Sequence, residues 1–442
     1  MTIAEVVTGS AGVEGLRRFL EGEPAAAAWG ELGGLLEPGA VLRDCHIHRV
    51  KLKPGRKLSA WCIATVRDRR GGLWHRHVAV TWSLTDSALP SVTGAIEEEA
   101  RRRGLAAPFC SLAAEVPGWG MRILVSPLDP RFPALVRMSD GVFAGNAIGL
   151  RTAPAAVATI RYRPGERHVL RYAGPADVWY AKLYRPGAGG QASRRATAVC
   201  AAVGRGPAGV RAVRPVLHAS EDALVTPAVP GRPAPAGHAD LETIGSLLRL
   251  IHCGVPPSEP AATLAGEIDA VERAAQHVDA LLPLTGAALR RTLAAVRESG
   301  ERAGAETATL VHGDFKLDHL LWDGAGVTVI DLDRARRGEP ALDLGKMLAD
   351  VRWRRAQAGL AGDGDRDSGD RLLHGYGPIG AHGRARAGLY EAVFLLKAAA
   401  RRASLLDPGW EEVMAATVRE AQGLVAAGDE RTRPRRRDGV PA

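Results

Sequence analysis

Two aspartates set into apolar sequence constrain this chain more than any other feature. The run Val311-His312-Gly313-Asp314-Phe315-Lys316-Leu317-Asp318-His319-Leu320-Leu321 carries the first, Asp314. Twelve residues past His319, Val329-Ile330-Asp331-Leu332-Asp333 carries the second, Asp331, at the end of an apolar strand. A carboxylate beside apolar residues is costly unless a metal, a cation or hydrogen bonds compensate it. The fold must therefore bring counter-charge to two short strands, Leu320–Trp322 and Val327–Leu332. Each residue alone has a plainer reading. Asp314 suits a turn, Asp331 caps a strand end, and Asp343 reads as the N-cap of a helix over Leu344–Val351.

Around this hairpin the pattern is helical. Leu241, Ile244, Leu247, Leu248 and Ile251 share a face, with Asp240 as N-cap and Gly254 as the stop. Helical sequence continues over 261–301 and 389–405, and the Gly- and Asp-rich stretch 359–383 reads as a mobile loop. Asp363, Asp365 and Asp367 do not make a calcium loop there, because Ser368 replaces the required glycine and His374 the closing glutamate. Upstream the period is that of strands. Ala158–Ile160, His168–Tyr172 and Val178–Tyr184 precede a helix over Gln191–Val203, followed by strands near Val210–Leu217 and Ala223–Val229. Pro230-Gly231-Arg232-Pro233 then reads as a hinge.

A fainter version of the same order precedes it. Lys51-Leu52-Lys53-Pro54-Gly55 mirrors Arg161–Gly165 at a spacing of 110, and Trp74–Trp82, Val92–Arg103 and Gly120–Val125 follow as strand, helix and strand. Residues 40–140 read as a degenerate copy of the later β-rich unit, although two unrelated β-meanders give the same pattern. The division is 1–150, 151–235, 236–428 and a basic tail, 429–442, read as disordered.

Charge follows that division. Residues 1–235 hold 31 Lys/Arg against 19 Asp/Glu, whereas 236–428 hold 22 against 27. The basic front half suits an anionic ligand or acidic partner, and an arginine-rich solvated surface gives the same count. No nucleic-acid motif accompanies it. The five cysteines (Cys45, Cys62, Cys110, Cys200, Cys253) form no C-x-x-C pair, and the start lacks a secretory signal. With no apolar run of membrane length, a cytoplasmic protein is expected. His46/His48 and His75/His77 each share a strand face but lack further ligands, so they read as ordinary strand histidines.

The motif at 311–333, followed by Gly338-Glu339-Pro340-Ala341-Leu342-Asp343, resembles that of the aminoglycoside phosphotransferase family, relatives of the protein kinases. Their catalytic loop reads H-G-D-x-x-x-x-N, and their metal-binding strand reads I-D followed by G-x-P-x-x-D. The resemblance covers about residues 155–430. It implies an α+β, protein-kinase-like two-lobed fold with a β-rich N-lobe and a mainly helical C-lobe, the extra N-terminal region standing before it. It also implies ATP and Mg²⁺ as cofactors. Asp314 and Lys316 would be catalytic, Lys182, Arg163 and Gly165 would bind the nucleotide, and Asp331, His319 and Asp333 would hold the metal.

Three departures qualify it. His319 stands where the family has asparagine, so Asp318 or Asp333 is the oxygen ligand that would replace it. No acidic residue occurs from Arg185 to Ser220, so the usual lysine–glutamate pair lacks a donor for Lys182. The turn Arg163-Pro164-Gly165-Glu166 is not G-x-G-x-x-G. The expected activity is transfer of the ATP γ-phosphate to a hydroxyl of a sugar, aminosugar or other natural product. The mildly acidic second lobe is compatible with a cationic acceptor. One alternative is a Ser/Thr peptide kinase working with a separate lyase in peptide natural-product maturation. The other is a pseudokinase scaffold, with a protein partner on the N-terminal region.

Overall fold

The computed structural model describes residues 2–85, 89–150, 154, 156–175, 177–360 and 364–432. The chain opens with three helices, α1 (Ile3–Thr8), α2 (Gly12–Glu21) and α3 (Glu23–Gly34). Strands β1 (Val41–Lys53), β2 (Lys57–Arg67) and β3 (Leu73–Ser83) follow, then α4 (Thr93–Arg102), β4 (Ala113–Val116) and β5 (Met121–Val125). They form an antiparallel sheet of order β1-β2-β3-β5-β4. Alternation decides its faces. Leu52 pairs with Leu58, Leu58 with Trp82 and Trp82 with Met121, a buried row across four strands. Trp82 meets Phe19 of α2 edge to face, with centroids 5.4 Å apart.

Short helices α5 (Ala134–Ser139) and α6 (Gly141–Ile148) lead into β6 (Ala156–Arg163), β7 (Arg167–Ala173) and β8 (Val178–Leu183). After α7 (Gly189–Val203) come β9 (Val210–Ala212), β10 (Val216–His218), β11 (Ala223–Pro227) and β12 (Arg232–Pro233). The second sheet has order β10-β11-β8-β7-β6. Both sheets are thus a three-strand meander, a crossover containing a helix, and a final pair whose later strand joins the third. Tyr162, His168, Leu170, Tyr172, Ala181 and Leu183 bury one face of the second sheet.

The single strand expected near Val210–Leu217 is two. Pro215, without an N–H, interrupts it, and β9 leaves the second sheet to pair in parallel with Val327–Val329. The expected hinge is also paired, Arg232 with Trp322 and Pro233 with Leu321.

The C-terminal part is helical: α8 (Leu241–His252), α9 (Leu264–Leu281) and α10 (Pro283–Ala303). Strands β13 (Thr309–Val311), β14 (Leu320–Trp322), β15 (Val327–Val329) and β16 (Arg336–Gly338) then carry the motif region. Helices α11 (Pro340–Gln357), α12 (Gly364–Tyr376), α13 (Gly380–Arg402) and α14 (Trp410–Thr432) complete the chain. This is the two-lobed, protein-kinase-like arrangement with an added N-terminal α/β region. No helix among the described residues is long and apolar enough to cross a membrane. The tail beyond Thr432 lies outside the described residues.

The stretch read as a mobile loop is mostly helix. One of its glycines, Gly375, serves contact: a Cβ there would lie 2.0 Å from the Glu242 carbonyl oxygen, and one on the facing Gly245 of α8 2.2 Å from that of Leu372. Backbone therefore touches backbone between α8 and α12, and His252 Nδ1 lies 2.8 Å from the Tyr376 hydroxyl. Asp365 and Asp367 sit in helical backbone, while Asp363 is outside the described residues.

The N-terminal region grips the β6–β7 turn. Buried Asp129, in the loop after β5, accepts from the Gly165 N–H at 2.7 Å and from His168 Nε2 at 2.6 Å. Lys51 pairs with Glu166 at 2.5 Å, and the Tyr162 hydroxyl donates to the Leu128 carbonyl at 2.6 Å. Asp129→Ala leaves buried donors without acceptors, so it should cost roughly 2–4 kcal/mol in a urea titration, and Asp129→Asn less. A second test uses buried His277 of α9, stacked on Trp410. Burial pushes its imidazole down to about 4. Between that value and the unfolded one the unfolded chain binds the extra proton, so stability falls as pH drops through this window. The loss should reach at most about 3 kcal/mol. His277→Gln should flatten that stretch of the stability–pH curve.

Candidate active site

Strand β13 delivers His312-Gly313-Asp314 to the foot of the cleft. Gly313 has φ 78°, and a Cβ there would lie 2.5 Å from the Arg334 carbonyl oxygen. The loop is pinned from below by α11. Buried Asp343 accepts from the His312 N–H at 2.6 Å and the Gly313 N–H at 2.9 Å. One helical face further on, buried Asp350 accepts from the Leu317 N–H at 3.0 Å. Between them Lys346 reaches Asp314 at 3.3 Å, and Lys316 lies 3.4 Å from the same carboxylate. Burial raises the Asp314 carboxyl, but the charges of Lys346 and Lys316 outweigh it and hold the group well below the usual carboxylate range. Asp314 is therefore an anion, its side chain 20% exposed to the cleft.

The second aspartate follows β15. Asp331 has φ 60° and ψ 49°, left-handed backbone that a non-glycine residue seldom adopts. Its Oδ1 accepts from Lys182 Nζ at 2.7 Å, and the same ammonium donates to Asp333 Oδ1 at 2.7 Å. Tyr184 donates to Asp333 Oδ2 at 2.9 Å. Burial opposes ionisation of Asp331, and the neighbouring groups, led by the charge and hydrogen bond of Lys182, together outweigh it and hold the carboxyl well below its usual range. His319 closes the group, with Nδ1 2.9 Å from the Asp314 carbonyl oxygen and Nε2 3.2 Å from Asp331 Oδ2. Burial lowers its imidazole to about 4, so it is neutral near pH 7. One ligand atom from each of Asp314, His319 and Asp331 lies within 4.8 Å of the others.

A family model for the phosphotransferase enzyme family matches residues 166–387, half of the chain. The chain belongs to that family. It is a kinase-type phosphotransferase. Among solved structures it is similar to a spectinomycin phosphotransferase in complex with ADP and spectinomycin (11% identity, 63% of this chain and 94% of that one, TM-score 0.44). It is also similar to a choline/ethanolamine kinase family protein from Mesorhizobium loti (16%, 67% and 98%, 0.45). A third is an aminoglycoside phosphotransferase from Streptomyces rimosus (19%, 58% and 97%, 0.42). No curated protein matches the chain.

In this phosphotransferase Asp314, Lys316, His319, Lys182, Asp331 and Asp333 converge. Other expectations need correcting. Asp318 turns away to Arg354 at 2.6 Å. Asp343 is not an N-cap: Glu339 holds that position, and Asp343 is an acceptor for the loop that carries Asp314. The Gly165 N–H goes to Asp129 rather than into the cleft, and Arg163 lies over the Trp61 ring at 5.9 Å. Lys182 finds its counter-charge in Asp331 and Asp333, not in α7. The histidine pairs of β1 and β3 belong to no metal-competent group among the described residues.

Lys346 and Asp350 escaped the sequence reading. Their signal was the spacing Asp343, Lys346, Asp350, which puts three charges on one helical face inside otherwise apolar sequence. An open cavity beneath the β6–β7 turn is lined by Lys182, Tyr184, Gln191, Arg195, Asp333 and Arg334. Asp343→Asn should speed hydrogen exchange at the His312 and Gly313 amides by roughly tenfold or more, reflecting a weakened charged acceptor. Amides in β1–β3 should exchange unchanged.

Proposed function

We propose that this phosphotransferase moves the γ-phosphate of ATP to a hydroxyl of an acceptor, with Asp314 as the group that aims the hydroxyl and takes its proton. The observation that carries this is an ionised, cleft-facing Asp314 beside a Lys182–Asp331 pair. Phosphoryl transfer needs positioning and charge neutralisation more than covalent help. Lys182 lines the cavity and is the anchor for the nucleotide phosphates. Lys316 is near enough to Asp314 to meet the transferring group. Arg161, opposite Val169, which in turn faces Lys182, sits on the Lys182 side of the sheet and would take the nucleotide contact expected of Arg163 and Gly165.

The residues also fit a divalent cation. A neutral His319 that donates Nδ1–H to the Asp314 carbonyl turns its Nε2 lone pair on Asp331 Oδ2, two acceptors 3.2 Å apart. Asp331 and His319 would hold Mg²⁺, which neutralises phosphate charge, and leave Asp314 free to meet the acceptor hydroxyl. Asp333 is engaged by Lys182 and Tyr184, which makes it a positioning residue rather than a first choice of ligand. The counter-charge whose absence favoured a scaffold is supplied by Asp331 and Asp333, so catalysis is the better reading. The shared strand order of the two sheets supports reading residues 1–150 as a degenerate second copy of the N-lobe at 151–235.

The decisive experiment measures Mg²⁺-dependent ATP turnover, with nucleotide binding in parallel, for wild type, Asp314→Ala and Asp331→Asn. Asp314→Ala should bind ATP yet lose roughly 10²–10⁴-fold in kcat. Asp331→Asn should lose turnover and the Mg²⁺ dependence of binding. Undiminished turnover in Asp314→Ala would refute the assignment.

A further inference from the structure

Arginines without a carboxylate partner gather around the site, two of them, Arg167 and Arg334, lining its cavity. Register shows how they gather. Arg163 pairs across from Arg167 and Arg161 from Val169, which in turn faces Lys182. Tyr162, His168 and Leu170, the alternating residues, point into the core. Arg161, Arg163 and Arg167 therefore share the sheet face that carries Lys182. From the N-terminal region Arg49 of β1 reaches across, donating to the Arg401 carbonyl in the last turn of α13 at 2.8 Å. Burial and then the charge of Arg334 lower the Arg401 guanidinium, with Asp314 among the groups opposing.

Among the described residues none of Arg49, Arg161, Arg163, Arg167, Arg334 and Arg401 has a carboxylate within 4 Å. Arginines elsewhere find one readily, as Arg386 does in Glu339 and Arg195 in Glu259. Glu166, the carboxylate whose charge reaches Arg49, Arg163 and Arg401, is taken by Lys51. The Arg163 guanidinium is pushed down to about 10 by burial and then by Arg49 and Arg161.

A cluster of like charges with no local counterion is self-repelling, and it focuses a field that draws anions. The nucleotide explains part of it. Arg161 feels Asp331, and Arg167 and Arg334 line the cavity with Lys182, so the triphosphate accounts for these three. It leaves Arg163, which lies over the Trp61 ring, together with Arg49 and Arg401. The end of α13 that carries Arg401 packs beside the Asp314 loop: Arg402 pairs at 2.6 Å with Asp350, the acceptor for the Leu317 N–H, and Lys346, which reaches Asp314, lies over the Phe394 ring of the same helix.

Resting on the phosphotransfer reading above, we infer that the acceptor is anionic, with a carboxylate or phosphate near its reacting hydroxyl, and that Arg401 and Arg49 hold that group. The acceptor oxygen bonds to the γ-phosphorus as the bond to the β–γ bridging oxygen breaks. ADP leaves, and the hydroxyl proton passes to Asp314. The slightly acidic balance of the whole C-lobe misleads here, because several of its carboxylates, among them Glu267, Glu339, Asp343 and Asp350, are buried and engaged inside the lobe while arginines without carboxylate partners gather near the site.

The test uses the full chain with Mg²⁺-ATP and size-matched acceptors. The anionic arms are small hydroxy acids, sugar phosphates and a serine peptide flanked by aspartates. The others are amino alcohols, aminosugars and the same peptide flanked by lysines. The anionic members should be preferred by roughly tenfold or more in kcat/KM, a margin that shrinks as salt rises. Which anionic arm wins distinguishes small molecule from peptide. Arg401→Glu and Arg49→Glu should each raise acceptor KM about tenfold while ATP KM stays near wild type. Arg401→Gln, milder for folding, should show a smaller rise in the same direction.

Preference for the cationic members, or a rise in ATP KM alone, would overturn the inference. If none of these compounds is phosphorylated, thermal shift with saturating Mg²⁺-ADP decides. Stabilisation by an anionic compound, lost in Arg401→Glu, supports the inference, and no stabilisation by any of them overturns it. Failure of wild type to bind Mg²⁺-ATP would instead refute the phosphotransfer reading itself.

Discussion

One ammonium group connects the two lobes at the point where the chemistry belongs. Lys182 of β8 donates to Asp331 and Asp333, which follow β15 in the other lobe. Without it, two neighbouring carboxylates beside apolar strands would repel each other in a poorly solvated place. With it, the segment 329–333 is a stable anionic floor. The same contact fixes the height of the β-sheet above the segment that carries Asp331 and Asp333. A ligand that competes for Lys182 must therefore change the spacing of the lobes or replace its charge.

The other half of the site depends on α11. Its apolar face is broken by the buried Asp343 and Asp350 and the half-buried Lys346, each of which meets the loop it holds. Backbone N–H groups of His312, Gly313 and Leu317 are donors that a tight loop cannot pair within itself. Supplying acceptors from a helix ties that loop to a rigid body. Asp314 thus inherits its position from packing around Leu342, Leu344 and Met347, all fully buried.

Much of this was legible in the sequence. Apolar runs flanking Asp314 and Asp331 demanded counter-charge, and the β-to-helix change of period near Asp240 coincides with the N-cap of α8. What was hidden depended on partners distant in sequence. Lys182 and Asp333 are 151 residues apart, so no local pattern reveals their pairing. The Asp129 contact with Gly165 and His168 joins two units whose packing the sequence does not encode locally. The glycines of 359–383 misled for a different reason. Glycine permits both a flexible loop and a close helix crossing, and only the facing Gly245 tells them apart.

Asp331 shows a position at odds with the interests of folding. Its left-handed backbone costs on the order of 1 kcal/mol for a residue bearing a Cβ, and its half-buried charge adds desolvation. A glycine would relieve the backbone strain, and Lys182 would keep Asp333 as a counter-ion, but the pair that favours an ionised Asp331 in the folded state would be lost. Backbone fit and ion pairing therefore pull in opposite directions at this one position. A redesign that followed backbone fit alone would place glycine here and remove the carboxylate proposed to hold the metal.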